Sequence, residues 1–123
     1  MLGFVLKVFR YIKRNILVPL STKVRSFLML YEVNCEGRVF VNGPGTIICG
    51  NKVTLGDNVH LGSGYYLNAY GGIDIGDNTH ISRNLLCYSV NHNYEGVCLP
   101  YDNTVESKPV YIGKNVWIGM NVT

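Results

Sequence analysis

Residues 73–119 read IDIGDNTHISRNLLCYSVNHNYEGVCLPYDNTVESKPVYIGKNVWIG. Two copies of one short pattern enclose a polar stretch. The first is Ile75-Gly76-Asp77-Asn78, with Ile81 six residues after Ile75. The second is Ile112-Gly113-Lys114-Asn115, with Ile118 six residues after Ile112. Between them His92 stands in Asn91-His92-Asn93-Tyr94. The flanking copies read as scaffold, and the polar stretch as the chemistry that the scaffold carries.

Upstream, the same period of six continues. Val41, Ile47 and Val53 obey it, as do Leu55, Leu61 and Leu67, with Val53, Val59 and Tyr65 two residues ahead of each. Gly or Asn follows the aliphatic residue in Leu55-Gly56, Leu61-Gly62, Leu67-Asn68 and Ile75-Gly76. A fixed short period marks a solenoid and overrides local propensity. Each hexapeptide is predicted to be one short strand and one corner. The aliphatic side chain points inward, and Gly or Asn takes the corner, where positive φ costs those residues little. Three sides make one coil, and coils stack through parallel strands about 4.8 Å apart. One coil cannot bury its own interior, so stability comes from its neighbours.

The segments LGDNVHLGSG, IDIGDNTHIS and KPVYIGKNVWIG resemble the hexapeptide-repeat acyltransferases. The resemblance covers roughly residues 39–123. It implies a left-handed parallel β-helix, an exception to the right-handed crossover rule. The order of IGDN, a His-bearing loop and KPVYIGKNVWIG is typical of the branch that acetylates sugars: the galactoside, maltose and surface-polysaccharide O-acetyltransferases. The expected fold class is therefore an all-β solenoid preceded by an amphipathic α-helical segment. Residues 1–31 form that helical segment and residues 32–123 the β-helix, with the His-bearing loop at 89–108.

The resemblance implies transfer of an acetyl group from acetyl-CoA to a sugar hydroxyl, in a homotrimer with sites between neighbours. The attacking hydroxyl needs a base, and His92 sits where the family places its catalytic histidine. A loop histidine bonded to a carbonyl would show the same residue. The HNY sequence resembles the HDY of related loops, which brings Tyr94 into the expected acceptor site. Asn68 is either an acceptor-binding asparagine or a corner residue. Tyr65, Tyr66 and Tyr70 lie around it in sequence. Trp117 alternates with Val116 and Ile118, so it should point out of the coil, as a site wall or a covered surface ring. No cofactor-binding residue follows from the resemblance, and Glu95 is only the nearest acid that could orient His92.

His60 and His80 precede inward residues and should stack on one outer face. Their gaps from each other and from His92 do not suit the histidine set of the hexapeptide carbonic anhydrases, so no metal is expected. Cys35, Cys49, Cys87 and Cys98 show no zinc-like spacing and read as free thiols of a reducing cytoplasm. Cys98, in the polar loop, should be exposed.

The charge is uneven. Residues 1–31 hold six basic residues and no acidic ones, whereas residues 32–123 hold five basic and eight acidic. The positive charge belongs to the N-terminal segment, so the body does not read as nucleic-acid-binding. In residues 2–18, Val5, Val8, Phe9, Ile12 and Ile16 fall on one side of a helix, with Phe4 added to the arc. Lys7, Arg10, Lys13 and Arg14 gather opposite. Pro19 should end or kink this helix, and residues 22–31 read as a second short one. The first is too short and too charged to span a bilayer. It reads either as a peripheral helix on an anionic membrane, at the inner face where a lipid-linked acceptor would sit, or as a cap over the first coil.

The chain stops in mid-repeat at Gly119-Met120-Asn121-Val122-Thr123. Resembling proteins continue with coils that hold most of the acetyl-CoA groove. The expectation is therefore a chain lacking C-terminal coils. The alternative to the enzyme is a truncated, non-catalytic scaffold that associates with membrane or partner chains.

Overall fold

Three short parallel sheets, visited by the chain in strict rotation, make up the body of the protein. They are seen in a computed structural model that describes residues 2–123, with the side chains of all of these except 2–4, 21, 22, 25, 26 and 29. The side chain of Phe4, part of the expected apolar arc, thus lies outside those described.

The first face holds β1 (Asn34–Cys35), β4 (Val53–Leu55), β7 (Ile73–Ile75) and β12 (Val110–Ile112). The second holds β2 (Val39–Val41), β5 (Val59–Leu61), β8 (His80–Ile81) and β13 (Trp117–Ile118). The third holds β3 (Thr46–Ile48), β6 (Tyr66–Asn68) and β9 (Leu86–Tyr88). Every pairing within these faces is parallel. Strands of two or three residues, joined by corners and stacked in register, fit a β-helix.

Coil length departs from the expectation of three hexapeptides. Asp57 and Asp77, like Asn58 and Asn78, are equivalent at a spacing of 20 residues. The surplus falls at the corner between the third and first faces. Val53, Val59 and Tyr65 keep step, but the next inward residue of that series is Ile73, after the turn at Tyr70–Gly72. One coil earlier, the same corner is the short helical turn Gly50–Lys52. In the third coil this corner expands, and the spacing between stacked residues grows to 37.

Glycine and asparagine divide the corner differently from the expectation. Positive φ is adopted by Asn58, Asn78, Asn84, Asn115 and Asn121, and by Cys49. The glycines directly after the aliphatic residues do not adopt it. They are required by the closeness of the coils: a Cβ on Gly62 would lie 2.5 Å from the carbonyl carbon of Ser82 in the coil above. The asparagines then bond along the stack, Asn58 Nδ2 to Asn78 Oδ1 and Asn84 Nδ2 to Asn121 Oδ1, each at 2.9 Å. Such side chains tolerate the left-handed conformation and repeat their amide bonds from coil to coil.

The interior is one column of apolar side chains. Val53, Leu55, Val59, Leu61, Leu67 and Ile73 are fully buried. Tyr65 belongs here and not with the outward tyrosines near Asn68, which corrects the grouping made from sequence. Gly45 leaves room for its ring. Thr79 and Ser89 are buried polar residues, and the Thr79 hydroxyl donates to the Gly113 carbonyl at 2.8 Å. Ile75 and Ile81 are buried as expected. Ile112 and Ile118 are only half-buried, because β12 and β13 each have a neighbour on one side alone.

The N-terminal segment is helical from Leu2 to Leu30. Pro19 does not end it, and the helix instead changes its bonding register just before Pro19. Helix α1 (Leu2–Ile12) passes through a π turn at Lys13–Leu17 into α2 (Val18–Leu30), where the Val18 N–H reaches the Lys13 carbonyl five residues back. The wider turn shifts the bonding register just before Pro19, where the missing N–H and the ring would disturb a regular α turn. Leu30 and Val33 pack on the apolar column, so the junction seals the first coil. Val5, Val8, Phe9, Ile12 and Ile16 remain exposed, so the apolar arc of α1 is not the cap. No helix among the described residues is long and apolar enough to cross a membrane.

Candidate active site

The enlarged corner carries a hairpin. Strand β10 (Val90–His92) pairs antiparallel with β11 (Val105–Ser107), setting Val90 opposite Ser107, Asn91 opposite Glu106 and His92 opposite Val105. The stretch expected as an irregular loop thus has a two-stranded base. Its root is Ser89, which is buried. The Ser89 hydroxyl donates to the Asn68 carbonyl and accepts from the Gly71 N–H, both at 2.9 Å. The Ser89 N–H also reaches the Asn68 carbonyl, and the Ser89 carbonyl accepts from the Lys108 N–H at 3.0 Å. One residue therefore ties both legs of the hairpin to the coil beneath.

The tip is braced by Asn93, Asp102 and Thr104. Asn93 Nδ2 donates to Thr104 Oγ1 at 3.2 Å and to Asp102 Oδ2 at 3.4 Å. Asp102 Oδ1 accepts the Thr104 N–H at 2.7 Å and also the Thr104 hydroxyl. These two bonds, the hydroxyl first, hold the Asp102 carboxyl below the usual carboxylate range. Asn93 Oδ1 accepts the Glu95 N–H at 3.2 Å. The Leu99–Pro100 peptide at the tip is cis.

His92 is exposed on this frame. Its ring stacks on Tyr101, with centroids 3.8 Å apart and planes 16° apart. Its N–H donates to Asn91 Oδ1 at 2.9 Å. Among the described residues no group hydrogen-bonds the imidazole, neither Glu95 nor a main-chain carbonyl. Tyr101 therefore sets the plane of the ring and leaves its edge open. An open, oriented imidazole can accept a proton from an incoming hydroxyl.

A groove of about 520 Å³ runs along the hairpin base, lined by Tyr88, Ser89, Asn91, Glu106, Lys108 and Val110. It mixes an amide, a carboxylate and an ammonium with aromatic and aliphatic walls. That lining can meet a polyhydroxyl ligand with both donors and acceptors. His92 does not line it.

The other residues singled out from sequence lie apart. Asn68 is on the third face, in register between Ile48 and Tyr88. Its side-chain Oδ1 is buried without a hydrogen-bond partner. Tyr94 is exposed near the hairpin tip. Trp117 points outward, 79% exposed, but on the second face. There it is in register with His80, and its Nε1–H donates to Ser82 Oγ at 3.3 Å. His60 stacks on His80 at 5.3 Å and on Phe40 at 4.5 Å, so the expected histidine pair belongs to a longer aromatic ladder. A separate groove of about 520 Å³ includes His80, Arg83 and Trp117. Neither His92 nor Asn68 lines the groove at the hairpin base or the one beside Trp117. Cys98 is exposed, as expected. Among the described residues no group of three or more His, Cys, Asp or Glu side chains is placed to hold a metal ion.

Sequence reasoning missed Ser89, Tyr101 and Asp102. Ser89 was within reach, since Leu85, Cys87 and Ser89 alternate inward. Tyr101 was not, because eight residues of irregular chain separate it from His92.

Comparison with known proteins bears on the scaffold. A search of the curated proteins found no match, and neither did a search of the solved structures. The family model described as hexapeptide repeat of succinyl-transferase matches residues 45–69 and 53–86. The coils from β3 to β8 thus carry hexapeptide repeats of the succinyl-transferase type, a likeness in line with the hexapeptide-repeat acyltransferases.

Proposed function

We propose that the chain is an acetyl-CoA-dependent O-acetyltransferase of sugar hydroxyls, acting in surface-polysaccharide synthesis on a left-handed β-helix, with His92 as general base. The observation that carries this reading is the exposed His92 ring, held flat by Tyr101 on a hairpin that Ser89 roots at the enlarged corner of the repeat scaffold. The acceptor oxygen attacks the thioester carbonyl as His92 takes its proton. A C–O bond forms, the C–S bond breaks, and the departing thiolate recovers the proton. A backbone N–H stabilises the oxyanion. The polar groove beside the hairpin gives a sugar its hydrogen bonds, with Asn68 and Tyr94 as further acceptor contacts.

A homotrimer gives Trp117 its place in this scheme. The hairpin leaves the corner between the third and first faces, and Trp117 stands on the second. The two meet only when the second face of one copy lies against the hairpin of another, which closes the site between neighbours.

Incubation of the protein with acetyl-CoA and a panel of sugars, read by mass spectrometry, tests the proposal. An acetylated sugar that is absent with His92→Ala supports it. No product with any acceptor, together with an intact fold, favours the non-catalytic scaffold.

A further inference from the structure

The N-terminal helix carries an apolar stripe longer than α1, and the π turn makes it continuous. Val5, Val8, Phe9 and Ile12 share one wholly apolar patch. Lys7, Arg10, Tyr11, Lys13, Arg14 and Val18 line the other side. In an unbroken α-helix each residue advances by about 100°, so Leu20, Val24 and Leu28 would drift steadily off that patch. The π turn at Lys13–Leu17 takes up one extra residue. Everything after it is turned back by about 100°. Leu20, Val24 and Phe27 then continue the line of Val5, Val8 and Ile12. All of them are exposed, Phe9 by 60% and Phe27 by 72%. Leu30, which does pack on the body, falls to the side of this line.

We infer that the whole stripe, from Val5 to Leu28, is a docking surface for an anionic lipid membrane. Charge selects this occupant. Residues 1–31 hold six basic residues and no acidic ones, so copies of the helix packed stripe to stripe would crowd cations with no counter-charge between them. Anionic head groups supply that counter-charge. Lys13 and Lys23 flank the stripe, where long side chains reach from an apolar boundary to head groups. Lys7, Arg10 and Arg14 complete the basic side. The helix lies along the surface, because no helix among the described residues is long and apolar enough to cross. This inference is independent of the acetyl-transfer reading, and its test involves no activity.

The experiment is co-sedimentation of the full chain with vesicles of phosphatidylcholine, alone or enriched in phosphatidylglycerol. Binding is expected only to the enriched vesicles and should fall as salt rises. Each basic residue strengthens such binding about fivefold, so Lys7→Gln/Arg10→Gln/Arg14→Gln should weaken it on the order of 100-fold. Leu20→Gln/Val24→Gln/Phe27→Gln should weaken it comparably, although these positions lie beyond the π turn. Thermal melting of the β-sheet signal checks that each variant keeps its body folded. Absence of binding to enriched vesicles, or equal binding to phosphatidylcholine, overturns the inference. Unchanged binding by the Leu20/Val24/Phe27 variant overturns the continuous stripe. If that variant instead dissociates a lipid-free oligomer, the stripe belongs to a second copy and the lipid assignment is wrong.

Discussion

Tyr101 lies flat against His92, centroid to centroid at 3.8 Å. No hydrogen bond from the described residues fixes the imidazole, so this contact alone sets its plane. We expect His92→Ala to lower turnover by about 10²–10⁴, as for removal of a general base. Tyr101→Ala should give a smaller loss in kcat, and Tyr101→Phe should restore most of it, since the face and not the hydroxyl is used. Steady-state kinetics on the acetylated sugar checks both. Full activity in His92→Ala would move the base to His60 or His80.

Ser89→Ala should act through the hairpin root. It removes the acceptor of the Gly71 N–H and one donor to the Asn68 carbonyl. The Gly71 N–H is part-buried, so leaving it unpaired costs at most about 1–3 kcal/mol. Chemical denaturation should show that loss, and hydrogen exchange should show faster opening of β10 and β11 than of the stacked coils. Unchanged exchange in the hairpin would refute the rooting role.

A column of charge along one corner predicts the acid limit of the fold. Asp57 accepts the Arg38 N–H at 2.8 Å, and Asp77 accepts the Asp57 N–H at 3.0 Å. Lys114 Nζ lies 2.6 Å from Asp77 Oδ2. The Arg38 hydrogen bonds hold the Asp57 carboxyl below its ordinary range, and the Lys114 ammonium, then the Asp57 N–H, does the same for Asp77. A carboxylate lowered by folding stabilises fully above its unfolded value, about 3.9. That contribution is lost as pH falls from there through the folded value. We expect a melting temperature that drops with acidification in this window. Asp57→Asn/Asp77→Asn should flatten the drop while leaving the amides able to accept the backbone bonds. An equally steep acid limb in the double variant would remove the column from the account.

The interior should answer to volume. Leu61 is fully buried between stacked coils, so Leu61→Ala should cost about 2–5 kcal/mol. Gly62→Ala should also destabilise, because its Cβ would meet the Ser82 backbone at 2.5 Å. Urea titrations measure both. A neutral Gly62→Ala would show that the coils can separate there.

Much of this protein was determined by sequence alone. Inward aliphatic residues at a period of six announced stacked parallel strands, because a face of three residues leaves few other ways to bury Leu55, Leu61 and Leu67. The outward direction of Trp117 and the pairing of His60 with His80 followed from alternation by two. The basic arc of α1 was readable because helix period and charge coincide within a few turns. Other features waited for the tertiary structure. The 20-residue coil comes from a slip at the Tyr70–Gly72 corner, where each flanking run is in phase with itself and only stacking compares them. The division of labour between Gly62, which clears the coil above, and Asn58, which takes the left-handed turn, depends on a neighbour 20 residues away. The contact of His92 with Tyr101 depends on the fold of a hairpin tip, and the distance of Trp117 from that hairpin on which face each occupies. Periodic burial is a local property that a chain must carry in its order of residues. Contacts across coils and loops belong to residues that only folding brings together.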